Sequence, residues 1–217
     1  MSLQFRFGRL VLKARDYKSN TFFLMTPEKL FIPILLGTNR KDRKSELAAR
    51  WVHSEMERRG QIESQFFDVR DFHLPPDDYG QALKDQFPEW RDAVTKADGL
   101  VIVTPEYNHG YPGTLKSVLD ILLREYVHKP VSFVGVSAGP WGGTRVIESC
   151  LPMVRELGLA ATFADLNFPN IASKFDDGGN LLDAAYEKRV AAFLDELIWM
   201  AGALRWGRVN LPSKFHA

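Results

Sequence analysis

Five apolar runs of strand length alternate with five segments of helical spacing, at 31–38, 62–69, 99–106, 130–137 and 161–167 for the strands. The helical segments are 45–59, 87–97, 114–124, the stretch following Thr144, and 181–204. A strand that returns through a helix to a parallel neighbour needs a right-handed crossover, so this alternation predicts an α/β fold with a doubly wound parallel sheet covered on both faces. For five strands the favoured order is 2-1-3-4-5, flavodoxin-like. It opens a crevice at the carboxyl ends of strands 1 and 3, with strand 4 beside them.

The punctuation agrees. Gly60 stops the first helix, Thr144 can cap the fourth, Pro152 should kink or delay it, and Asn180 is a candidate N-cap for the last. A polar loop carrying Pro75, Pro76, Asp77, Asp78 and Gly80 follows the second strand. One domain spans 30–206. Residues 1–29, basic and without an apolar core of signal-peptide length, read as an extension that is flexible or artificial in origin, and 207–217 as a tail.

Charge and cysteine content narrow the function. Lys and Arg total 28 against 27 Asp and Glu, a net charge of +1, which supports neither the basic face that nucleic acids require nor the acidic surface of an electron carrier. Cys150 is the only cysteine, so an intrachain disulfide, a zinc cluster and a CxxC redox pair are all excluded. It sits among Ile147, Leu151 and Val154 and reads as a core residue. No apolar stretch reaches the roughly 18 residues of a membrane span. A cytoplasmic setting is expected.

Three loops fall at the expected crevice. The first, Gly37-Thr-Asn-Arg-Lys-Asp-Arg-Lys-Ser45, enters a helix whose free N–H groups and positive dipole end suit a phosphate. Thr38 and Ser45 add hydroxyls and Arg40 adds charge. It is neither a Walker loop nor GxGxxG, since Asp42 stands where a second glycine belongs. The second, Pro105-Glu-Tyr-Asn-His-Gly-Tyr-Pro-Gly113, can lay backbone and aromatic faces along a planar ring. In it Asn108 reads more readily as a turn residue than as a ligand contact, and His109 as a solvent-facing histidine. The third, Ser137-Ala-Gly-Pro-Trp-Gly-Gly143, offers backbone N–H groups that suit developing negative charge, with Trp141 as a lid. Lys116 and Asp120, four apart, read as a helix ion pair.

These residues resemble the NADPH-dependent FMN reductases, flavodoxin-like proteins that include quinone, azo-dye and chromate reductases. The match runs from about Ile34 to Leu204. It rests on Gly37-Thr-x-Arg40 with Ser45, on Pro105-Glu-Tyr-Asn-x-Gly-Tyr-Pro-Gly-x-Leu-Lys116 with Asp120, and on Ser137-Ala-Gly with Gly142-Gly. A weaker echo is Pro169-Asn followed by Phe175-Asp-Asp-Gly-Gly-Asn-x-Leu182. The resemblance implies FMN as cofactor, with its phosphate on Thr38, Arg40 and Ser45. It implies the ring along Pro105, Glu106, Tyr107 and Asn108, and its pyrimidine edge at Ser137, Gly139 and Gly142. It further implies NADPH or NADH as co-substrate, hydride transfer through FMN to a small quinone, azo, metal-oxyanion or flavin acceptor, no metal, no catalytic side chain, and a homodimer or homotetramer. The alternative is a non-catalytic electron carrier or redox sensor of the same fold. Arg43, Arg124 and Lys129 are candidates for a 2′-phosphate.

Overall fold

The computed structural model describes residues 28–75 and 80–215. Most of the extension expected at 1–29, the turn residues Pro76, Asp77 and Asp78, and the last two residues of the tail lie outside them.

Eight strand segments and five helices alternate: β1 Leu30–Phe31, β2 Ile34–Leu36, α1 Ser45–Arg58, β3 Ile62–Glu63, β4 Phe66–Asp68, α2 Pro88–Lys96, β5 Leu100–Pro105, α3 Gly113–Leu119, β6 Pro130–Val136, α4 Thr144–Glu156, β7 Ala160–Ala161, β8 Leu166–Phe168 and α5 Ala185–Asn210. All strand pairs are parallel. Hydrogen-bonded neighbours run β4-β2-β5-β6-β7, with β8 also on β6, and β1 beside β3. Leaving β2, the chain pairs first with β4 on one side and then with β5 on the other, so the winding reverses at β2.

Three of the five expected strands are split. Pro33 interrupts the first, because proline brings no N–H to the ladder. Pairing still continues past the break: Ile32 N–H donates to Glu63 O at 2.9 Å, Ile34 N–H to Gln65 O at 3.0 Å, and Val101 N–H to Pro33 O at 3.0 Å. The second and fifth strands break at 64–65 and 162–165.

Alternation along the strands distributes the core to both faces. Leu35, Ile102 and Phe133 face one layer with Trp90, Leu119 and Ile147, from α2, α3 and α4. Leu36, Val103 and Val134 face the other with Val52 and Leu197, from α1 and α5. Cys150 is fully buried in the first layer, and burial pushes its thiol up to about 12.

The last helix starts four residues after the expected point, and Asn180 does not cap it. Asp176 claims Asn180, accepting its backbone N–H at 2.8 Å and its Nδ2 at 3.0 Å. Asp183 Oδ1 meets the helix instead, accepting from Ala185 N–H at 3.1 Å, and α5 then runs on to Asn210, into the expected tail. Thr144 does not cap α4 either: its hydroxyl donates back to Trp141 O at 2.8 Å, and α4 continues through Pro152 without interruption. Among the described residues no helix is long and apolar enough to cross a membrane.

Candidate functional site

Parallel register brings the three loops to one edge. Gly37 N–H donates to Val103 O (2.8 Å), Glu106 N–H to Val136 O (3.0 Å) and Ser137 N–H to Phe168 O (3.1 Å), so each loop leaves its strand bonded to the next strand over. Between them lies a crevice of about 320 Å³, lined by Arg40, Lys44 and Ser45 of the first loop, Glu106 and Tyr107 of the second, and Ser137 of the third, with others including Ile171. That volume is at the lower end for a small-molecule site. Two larger hollows, about 810 and 610 Å³, lie between α1 and the segment before α5, and at the amino ends of the strands. Neither receives residues from the loops after β5 and β6, so the crevice is where the chemistry converges.

The first loop is held by an ion pair between buried Arg43 and half-buried Asp68. Arg43 donates through Nη1 and Nη2 to both oxygens of Asp68, and through Nη1 to Thr38 O. Burial works against both charges, but the mutual hydrogen bonds win: Arg43 is held above its ordinary range and Asp68 below. Arg43 is therefore spent on structure and is corrected as a phosphate candidate. Lys129 is corrected too, since it is buried at the opposite edge and donates to Val94 O and Thr95 O. Arg124 is exposed and away from the crevice lining.

Thr38 is buried beneath the crevice rather than lining it. Its Oγ1 shares a 2.8 Å hydrogen bond with Tyr107 Oη and accepts Arg40 N–H at 3.3 Å, joining the first loop to the second. The Arg40 guanidinium is exposed and stands 5.1 Å from the centroid of the Tyr107 ring. At the start of α1 no side chain caps the first turn, so its N–H groups open beside Arg40, Lys41 and Lys44. Ser45 is buried in that turn.

In the second loop Tyr107 and Gly110 exchange two backbone hydrogen bonds of 2.9 Å across Asn108 and His109, both in the left-handed region at φ 50° and 67°. This is a tight primed turn. Asn108 and His109 are exposed at its tip and outside the crevice lining, as the turn reading of Asn108 and the solvent-facing reading of His109 expected. The Glu106 side chain is buried; its Oε1 accepts from Arg145 Nε at 2.6 Å and Nη2 at 2.5 Å, while its Oε2 is buried with no partner among the described residues. Lys116 and Asp120 form the expected helix ion pair.

The third loop is closed by its own hydroxyl. Ser137 Oγ donates to Gly139 O at 2.7 Å and accepts Gly142 N–H at 2.8 Å, and Asn167 Nδ2 donates to Gly142 O at 3.1 Å. Gly142 is buried with its N–H taken, which corrects it as a donor to a ligand. The glycine that follows is required by close approach: Gly143 has φ 78°, and a Cβ there would lie 2.6 Å from Val136 N. Gly139 sits differently, with open space at its Cβ position and an N–H that has no partner among the described residues.

Arg145, Asp68 and Ile171 escaped the reading of the sequence. Asp68 was signalled by its place: it ends the strand beside the one leading into the first loop, paired in register with Leu36. Arg145 lies 39 residues from Glu106 and no local spacing marks it.

Comparison with known proteins decides the family. A family model described as NADPH-dependent FMN reductase matches residues 32–172. The chain belongs to the NADPH-dependent FMN reductase family. It is 29% identical over 165 residues to an NAD(P)H-dependent FMN reductase of Nectria sp., covering 68% of this chain and 81% of that one. It is 28% identical over 177 residues to a 2-hydroxy-1,4-benzoquinone reductase of Burkholderia sp., covering 77% and 93%. In fold it is similar to the flavoenzyme NAD(P)H:(acceptor) oxidoreductase FerB of Paracoccus denitrificans, with TM-score 0.68 at 20% identity over 80% of this chain and 98% of that one.

The residues present fit FMN. An uncapped helix start beside three cationic side chains suits its phosphate, and the Tyr107 ring with the free Gly139 N–H suits a flat, electron-accepting ring.

Proposed function

We propose that this protein is an FMN-dependent oxidoreductase that takes hydride from NADPH or NADH and delivers the electrons to a small flat acceptor such as a quinone or azo compound. The observation that carries the reading is the convergence of three loops, from three neighbouring strands, on one crevice floored by the uncapped start of α1. FMN, when bound, supplies the hydride-accepting ring, and the protein supplies position and polarity.

Ser45 and the N–H groups around it take the phosphate, with Arg40 adding charge from the rim. Thr38 works indirectly, by holding the Tyr107 hydroxyl. Pro105, Glu106 and Tyr107 form the wall along the ring, with Asn108 in the turn above. Ser137 shapes the third loop by bonding Gly139 O and Gly142 N–H, which leaves the N–H of Gly139 for the ring. No side chain among the described residues of the crevice is arranged as a nucleophile paired with a base, in keeping with chemistry carried by the cofactor.

The folded unit of this reading is 30–206 together with the end of α5. Its assembly is a homodimer or homotetramer. Its setting is cytoplasmic, in keeping with a single buried thiol.

The test is the absorbance of the purified chain after loading with FMN, before and after NADPH is added anaerobically. A bound flavin spectrum that bleaches with NADPH and recovers with quinone supports the reading. A protein that stays colourless in excess FMN rejects it, and one that binds FMN but is not bleached by either nicotinamide is a carrier or sensor.

A further inference from the structure

Three successive carbonyls of the first loop are taken by two guanidiniums, that of Arg43 in the loop itself and that of Arg70 in the segment after β4. Thr38 O accepts from Arg43 Nη1, Asn39 O from Arg70 Nε at 3.4 Å, and Arg40 O from Arg70 Nη2 at 2.5 Å. One carboxylate organises both donors. Asp68 pairs with Arg43, and its Oδ1 also accepts the Arg70 N–H at 2.9 Å, which starts the single 3-10 turn Val69–Asp71 just past the end of β4. The two guanidiniums differ in setting. Arg43 is buried, whereas Arg70, Asn39 and Arg40 are exposed, and exposed carbonyls are served nearly as well by water as by a side chain.

What water does not supply is direction. In a trans peptide the N–H points opposite to the C=O, so fixing three carbonyls fixes the N–H groups of Asn39, Arg40 and Lys41 on the other side of their peptide planes. Thr38 Oγ1 accepts the Arg40 N–H at 3.3 Å, while those of Asn39 and Lys41 have no partner among the described residues. Arg40, Lys41 and Ser45 line the crevice; Asp68 and Arg70 do not. The oxygen ends of these peptides, which repel an anion, are thus each covered by a cation, and donors are left uncovered beside the start of α1.

We propose that Arg70, from outside the crevice lining, is a positioning residue for the phosphate of FMN: it holds the carbonyls of Asn39 and Arg40 and so keeps the donors of the first loop turned to the anion. The proposal rests on the FMN reading given above. The side chain suits the task. Arginine's planar fork engages two neighbouring carbonyls at once through Nε and Nη2, a fixed geometry that a lysine ammonium on its flexible stem does not reproduce. The action is confined to the phosphate end. The walls that suit the ring belong to the other two loops, and the Tyr107 hydroxyl is held by Thr38 Oγ1 without Arg70. Fixing the backbone of even one loop residue ahead of binding is worth roughly tenfold in affinity.

Fluorescence titration of the full chain with FMN and with riboflavin, which carries the same ring without the phosphate, tests it. The wild-type chain is expected to prefer FMN. Arg70→Ala is expected to weaken FMN at least ~10-fold and riboflavin less than ~2-fold, with the urea midpoint unchanged because the released carbonyls are exposed. Arg70→Lys, which keeps the charge and loses the fork, is expected to bind FMN nearly as weakly as Arg70→Ala. The proposal is overturned, with flavin binding left standing, by a wild-type chain that takes both flavins equally, by Arg70→Ala that keeps the wild-type preference, by equal weakening of both flavins, or by full rescue with lysine, which would reduce Arg70 to a charge acting through space. A wild-type chain that binds neither flavin overturns the FMN reading and this proposal with it.

Discussion

The sheet carries a charged hollow at each end, and the two differ in what their cations are doing. At the amino end, Arg205 is held by Glu28 and Asp98, Arg208 by Asp98 and His128 O, Lys96 by Glu63, and Lys129 by two backbone carbonyls. At the carboxyl end, Arg43 is likewise paired, but Arg40, Lys41 and Lys44 form no salt bridge among the described residues and flank a helix start that no side chain caps. Similar residues thus close one hollow and leave the other with unclaimed donors. A binding site is identified by the donors the protein does not satisfy itself, more than by its size.

The comparison can be broken most forcefully at the Arg43–Asp68 pair. Arg43→Ala is expected to lower the unfolding free energy by about 2–3 kcal/mol, measured by urea denaturation, because it strips half-buried Asp68 of its guanidinium partner and leaves it the Arg70 N–H. The pH dependence follows from the depressed Asp68: its contribution is complete above the ordinary carboxylate range and is lost as pH falls through the folded-state value. A wild-type chain whose stability is flat on acidification below about pH 4 contradicts that.

At the other end, Asp98→Asn is expected to cost about 2–3 kcal/mol, since Asp98 accepts from Phe31 N–H, Arg205 and Arg208, yet to leave FMN affinity unchanged by fluorescence titration. Loss of FMN affinity in this variant would show that the two ends are not independent. Arg40→Ala should show the reverse pattern: FMN retention weaker by about tenfold, with stability and the turnover of saturated enzyme nearly constant. The smallest effect is expected for Tyr107→Phe, which removes the hydrogen bond to Thr38 and should cost about 1 kcal/mol in urea denaturation.

How far the sequence carried the argument depended on whether local pattern or distant contact decides the outcome. The alternation of strand-sized and helical segments is local and was legible. So was the meeting of the loops, because it follows from parallel topology. The start of α5 was not, because Asp176 and Asp183 compete with the local capping signal of Asn180. The role of Gly142 and Gly143 was misread for a related reason: glycine suits both ligand approach and a loop folded onto its own strand, and only the packing against Val136 and Asn167 distinguishes them. Arg43 read as a candidate for a 2′-phosphate until its neighbour across the strands was known.

The Glu106–Arg145 bridge fastens the tyrosine loop to the helix that follows the serine loop. Two walls of the cleft are therefore clamped into a single jaw, and the Thr38–Tyr107 hydrogen bond fastens the arginine-lysine turn to the same jaw.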